Sequence, residues 1–266
     1  MSIGHYGWVP DLPDHRDLVY AAPAEFLTAL PTAVDLRAQC PPIYDQGQIG
    51  SCTANSIGGA FQFEQMKQKI ANFIPSRLFI YYNERVIEHT VNSDSGAQIR
   101  DGMKVVAKQG VPPETDWPYD TDKFAEKPPQ KAYTDAAQHK VLSYQRVSRV
   151  LNQMKGCLAS GYPFVFGFTV YDSFESTAVA HSGHATMPLP NEQVVGGHAV
   201  AAVGYDDKSQ WFIVRNSWGT SWGLDGYFTL PYQYLLEPNL SDDFWTIRLV
   251  QGSGIRKKKP ATRKKR

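Results

Sequence analysis

Apolar residues change their spacing midway along this 266-residue chain, which limits the folds open to it. In 51–69, Ala54, Ile57, Phe61 and Met66 recur near helical spacing, with Phe63 alongside and Ser51 placed to cap the start. The pair Gly58-Gly59 lowers helix propensity there, so another backbone is expected to pack against that turn. Residues 75–88 read as a second helix with proline in its first turn, and 99–108 as a third, closed by Gly110. The stretch 111–129, dense in Pro and Asp, reads as loop and as a boundary. After a helix predicted over 147–159 the pattern shortens. Segments 163–170, 198–205, 211–216 and 226–230 are β-rich runs between turn residues. Helices first and strands later predict an α+β fold of two packed subdomains, about 41–140 and about 141–250.

The two ends differ from this body. Residues 1–29 centre on Trp8-Val9-Pro10-Asp11-Leu12-Pro13-Asp14, whose prolines oppose a helix. They read as an extended strap lying on the body, with plain packing the first expectation and cover of a cleft the second. The tail, 251–266, holds eight Lys and Arg in its last eleven residues. Without them the chain has 19 basic against 26 acidic residues, about −7 by formal count. Such a tail reads as a disordered end or an address, with unspecific polyanion contact through 256–266 as the alternative. It lacks aromatics for base stacking.

Bulk properties narrow the class further. No apolar stretch approaches the roughly 20 residues of a membrane span. The start has neither a basic n-region nor an apolar h-region, so a cytoplasmic or other intracellular location is expected. Three cysteines, Cys40, Cys52 and Cys157, cannot all pair and lack zinc-ligand spacing. No metal or cofactor is expected, and a monomer is the simplest assembly.

The chemistry lies in two short segments. Gln46-Gly47-Gln48-Ile49-Gly50-Ser51-Cys52 ends where a helix should begin, and a helix N-terminus favours a thiolate. Far downstream, Gly197-His198-Ala199-Val200 places an imidazole at a strand's start, and Arg215-Asn216-Ser217-Trp218-Gly219 follows the next strand. Thiol, imidazole and two amides make a complete set for acyl transfer. Cys52 is the nucleophile and His198 the acid/base. Asn216 orients the ring and Gln46, with the Cys52 amide, is the oxyanion donor. Trp218 is placed to shield the imidazole–amide bond. Each residue alone has a plainer meaning: a buried inert thiol, a satisfied histidine, a turn, a loop amide. The other histidines, His181 and His184 among them, keep that plainer meaning.

These segments resemble papain-like cysteine peptidases, the Cys-His-Asn group. The resemblance runs from about Leu30 to Val250 and is most specific over 211–227, with Arg-Asn-Ser-Trp-Gly-Thr-Ser-Trp-Gly and Asp-Gly-Tyr. It implies a helical left domain, a β-barrel-like right domain and an active site in the cleft between them. It assigns Cys52, His198, Asn216 and Gln46 the roles just given. Ser95-Gly96-Ala97-Gln98 is similar to the loop that pairs with substrate backbone. Ile99, Gly167, Gly196 and Ala199 would line the pocket for the second residue before the scissile bond, with Gly197 and Trp218 also at the cleft. The pocket floor would come from 232–244, with an apolar or aromatic preference. Ile49 and Thr53 depart from the family pattern, which often has Cys and an aromatic there. The implied activity is endopeptidase cleavage of polypeptides. Aminopeptidase or acyl-transfer activity, or a catalytically silent binding protein, are the alternatives. If the chain inhibits itself, the short strap must do it.

Overall fold

The computed structural model describes residues 6–252. Short elements come first: β1 (Val19–Tyr20), α1 (Ala24–Thr28) and β2 (Ala33–Asp35). The prolines were expected to keep 1–29 free of helix, yet α1 starts directly after Pro23, where a proline can precede a helical turn at no cost. Then come α2 (Cys52–Lys67), α3 (Arg77–Glu88), α4 (Ile99–Lys108) and α5 (Gln130–Ala136). The second half holds β3 (Val141–Val147), α6 (Leu151–Ala159), β4 (Phe164–Tyr171) and α7 (Thr177–Ser182). It ends with β5 (Val194–Asp206), β6 (Trp211–Arg215), β7 (Tyr227–Pro231), α8 (Tyr232–Leu236) and β8 (Ser241–Val250). The helix predicted over 147–159 begins later, at Leu151, because Val147 closes strand β3.

Helix α2 is the axle. Every residue from Cys52 to Gln65 is buried, so it has no solvent face and little amphipathic contrast. Gly58 and Gly59 serve two arginine side chains rather than a neighbouring backbone. A Cβ on Gly58 would lie 3.3 Å from Arg77 Cγ, and one on Gly59 3.2 Å from Arg215 Nε. Arg77 pairs with Glu114, and Arg215 donates to the Pro41 and Pro42 carbonyls. Ser51 precedes α2 but its hydroxyl does not cap it; that oxygen meets the Tyr119 hydroxyl and the Asn55 amide.

The strands form one eight-stranded sheet in the order β1-β3-β8-β4-β5-β6-β7, with β2 pairing β5 off that path. The β-rich half is present, but its sheet stays open and is not closed into a barrel. One apolar cluster, with Phe164, Phe166, Phe168, Phe212 and Phe228, fills the β side. A second joins Ile57, Phe61, Leu78 and Ile99 of the helices to Val165, Ala199 and Trp245 of the sheet. That second cluster is the seam between the halves, and Cys52 belongs to it.

Candidate active site

Cys52 is the first residue of α2, and His198 lies on β5 opposite Phe168 of β4. Both are fully buried. His198 Nε2 meets Asn216 Oδ1 at 2.8 Å, and the same oxygen accepts the Ser217 N–H at 2.9 Å. Asn216 follows strand β6, whose pairing with β5 at Ala201–Arg215 brings the amide beside the ring. The Trp218 indole stacks on the imidazole, centroids 4.8 Å apart and planes 22° apart, and so covers the bond. His198 Nδ1 has no hydrogen-bond partner among the described residues.

Gln46 is locked from both ends. Its Oε1 accepts from Ser217 Oγ at 2.7 Å, and its Nε2 donates to the Ile49 carbonyl at 3.1 Å. Its backbone N–H bonds the Ser217 carbonyl, tying the loop before Cys52 to the segment carrying Asn216. Gly47, with φ of +61°, supplies the left-handed turn that this loop needs.

Burial dominates the electrostatics. It pushes the Cys52 thiol up to about 12, while the N–H groups of Ala199, Gly7 and Thr53 oppose that rise. It pushes His198 down to about 4, against the Asn216 bond that favours the imidazolium. In this closed arrangement the two groups are therefore a neutral thiol and a neutral imidazole.

What buries them is the strap. Gly7 and Trp8 both donate their N–H to the Gly197 carbonyl, at 3.0 and 2.8 Å. The Ala97 N–H donates to the Gly7 carbonyl at 2.7 Å, and the Val9 N–H to the Ala97 carbonyl at 3.1 Å, a parallel bridge. The Tyr6 ring meets the edges of His198 and Trp218, and its hydroxyl donates to Glu175. Plain packing was the first expectation for this segment; the structure lays it through the cleft instead. A cluster rich in carboxylates holds it there. Arg100 pairs with Asp17 at 2.6 Å and its backbone N–H donates to Asp11. Arg146 reaches Asp11, Asp17, Asp242 and Asp243.

The expected substrate-binding residues fall along the strap. Ala97 pairs with it, and Gly96, at φ of +72°, has no room for a Cβ because the Gly7 carbonyl oxygen would lie 2.1 Å away. Ser95 Oγ donates to the Gly96 carbonyl. Gly167 and Gly197 lie flat against the Trp8 indole, and Gly196 lies instead against Tyr6. Ile99 and Ala199 sit in the cluster on which Trp8 packs. Sequence reasoning missed Ser217, Arg146, Asp11 and Asp243, because each acts through partners far away along the chain.

A buried helix-start thiol, an amide-bound imidazole and a strand-pairing groove thus lie together in one cleft. The model of papain family cysteine proteases matches residues 30–237, and the chain belongs to that family. It is thus a cysteine peptidase, and its substrates are polypeptides. The chain is 41% identical to a peptidase C1-like protein of Acanthamoeba polyphaga mimivirus, over 92% of this chain and 87% of that one. It is 47% identical to xylellain, a cysteine protease from Xylella fastidiosa, with a TM-score of 0.86 covering 91% of this chain and 95% of that one. A cathepsin B-like protein of Giardia intestinalis is 28% identical over 76% of this chain and 70% of its own length. Among the described residues no helix is long and apolar enough to cross a membrane, and no group of three or more His, Cys, Asp or Glu could hold a metal ion. The basic stretch 256–266 lies outside the described residues.

Proposed function

We propose that the chain is an endopeptidase in which Cys52 and His198 carry out acyl transfer once the strap leaves the cleft. The observation that supports it best is the ring's hydrogen bonding. Nε2 is committed to Asn216, so Nδ1 is the nitrogen left to exchange a proton with the thiol. Opening the cleft returns water to both groups, which lowers the thiol pKa and raises that of the imidazole. The α2 N-terminus then favours the thiolate.

Cys52 Sγ attacks the peptide carbonyl carbon, and its former proton, held by His198, passes to the leaving amine nitrogen as the C–N bond breaks. Water then gives a proton to His198 and attacks the thioester, releasing the carboxyl product and restoring the sulfur. The Cys52 N–H and the Gln46 side-chain amide stabilise the tetrahedral oxyanion. The Ser217 bond to Oε1 fixes which way that amide points.

The strap is an inhibitor and not a substrate. It turns the Gly7 N–H toward the sulfur while the Gly7 carbonyl is committed to Ala97. Attack needs a carbonyl carbon at that place. Incubation with an unfolded protein substrate tests the reading: the chain should cleave within the polypeptide, and the Cys52→Ala variant should not. Release of single amino-terminal residues only would support the aminopeptidase alternative.

A further inference from the structure

The Trp8 indole occupies a flat slot that ends at a buried carboxylate. One face of the ring lies on Gly167, where an added Cβ would fall 2.0 Å from Trp8 Cε2, and on Gly197. At the end of the slot the indole Nε1–H donates to Asp243 Oδ2 at 3.0 Å. Asp243 is 1% exposed and holds a left-handed backbone, φ of +60°, which Asp tolerates better than most residues.

The two oxygens of Asp243 have different owners. Oδ1 accepts from Arg146, part of the body, at 3.0 Å. Both partners of Oδ2 come from the strap: the Trp8 indole and the Asp11 backbone N–H, at 2.8 Å. When the strap leaves, Oδ2 loses both protein donors, and a side chain that fills the slot without an N–H leaves this acceptor unpaired. Whatever next fills the slot is selected for restoring a donor. A site built around a hydrogen bond strongly rejects analogues that lack it.

Charge decides which donor. Asp243 stays with the body, whereas the strap takes Asp11 and Asp17 away. Arg100 then loses its ion-pair partners and the Leu12 carbonyl, all of which belong to the strap. Arg146 keeps Asp242 and Asp243, and Arg149 keeps Asp242. The carboxylate at the end of the slot thus keeps a guanidinium partner in Arg146, which disfavours a lysine or arginine there.

We infer that Asp243 is a specificity-determining residue, and that this slot selects a flat aromatic substrate side chain with an N–H donor: tryptophan in preference to phenylalanine or arginine. This rests on the peptidase reading above and places the side chain two residues before the cut. It sharpens the apolar or aromatic preference expected there, adding the acceptor from within 232–244.

The test uses the full chain and fluorogenic peptides that differ only at that position. One carries Trp, one its benzothienyl analogue with sulfur in place of the N–H, and others Phe and Arg. The strap competes equally with all of them, so the ratio of kcat/KM values does not depend on how often the cleft opens. Trp should exceed the benzothienyl analogue by tenfold or more, with Phe and Arg also below Trp. In Asp243→Asn the Trp advantage should shrink at least threefold. Equal rates for the pair, or a preference for Arg, with Cys52 still labelled by a peptidyl epoxide, would overturn the slot assignment alone. No cleavage of any peptide and no labelling would overturn the peptidase reading and the slot with it.

Discussion

Gly7 and Gly197 meet through one hydrogen bond, N–H to carbonyl at 3.0 Å, and it joins the strap to the strand that carries His198. The contact places the strap's main chain beside Cys52 and His198, both fully buried. How often the cleft is open thus becomes the controlling quantity.

Loosening the strap should speed catalysis. Trp8→Ala removes a half-buried indole and its bond to Asp243, a loss of about 1–3 kcal/mol. Hydrolysis of a fluorogenic peptide should rise about tenfold or more relative to the unmodified chain. An unchanged or lower rate, with folding intact by circular dichroism, would mean the strap does not limit access.

The strap's hold should depend on pH through Asp11. Burial, and next the neighbouring Asp243, raise its carboxyl to about 7 despite the Arg100, Arg146 and Trp245 donors around it. A carboxyl raised on closing stabilises the closed form fully below its ordinary pKa near 3.8. That stability is lost as pH climbs to the raised value. Asp11→Asn removes this dependence. Its strap should therefore grow tighter than that of the unmodified chain between pH ~4 and ~7, read as the ratio of Cys52 alkylation rates. The His198 contribution is common to both proteins and cancels in the ratio.

Asn216→Ala should lower kcat by about tenfold to a hundredfold, since the imidazole keeps its place under Trp218 but loses the bond that orients Nδ1. KM should change little. A larger effect on KM than on kcat would mean that Asn216 acts on substrate binding instead.

Gly102 is a stability position away from the cleft surface. A Cβ there would fall 2.2 Å from Glu84 Oε1 and 2.3 Å from Ile57 Cδ1, against the buried acid that accepts the Thr53 hydroxyl. Gly102→Ala should cost about 1–3 kcal/mol through overpacking. Calorimetry should show a melting temperature lower by several degrees.

The groups of the candidate site were legible because Gln46, Cys52, His198 and Asn216 sit in short, ordered segments whose neighbours carry the signal. Helices α2, α3 and α4 were legible from their apolar spacing. Strands β3 and β8 were not. Ser143 and Gln145 interrupt the apolar pattern of one, and Asp242 and Asp243 open the other; those acids answer to Arg146, about a hundred residues away. The strap's course was hidden for a similar reason: besides main-chain bonds to Ala97 and Gly197, its side chains answer to residues far along the chain, Trp8 to Asp243 and Asp17 to Arg100.

The most direct test of the central claim is to treat the chain with an epoxide-type thiol-protease inhibitor near neutral pH and map the adduct by mass spectrometry. One adduct on Cys52, faster in Trp8→Ala and lost in His198→Ala, is the predicted result. An adduct on Cys40 or Cys157 instead, or a Cys52 that reacts equally well without His198, would contradict it.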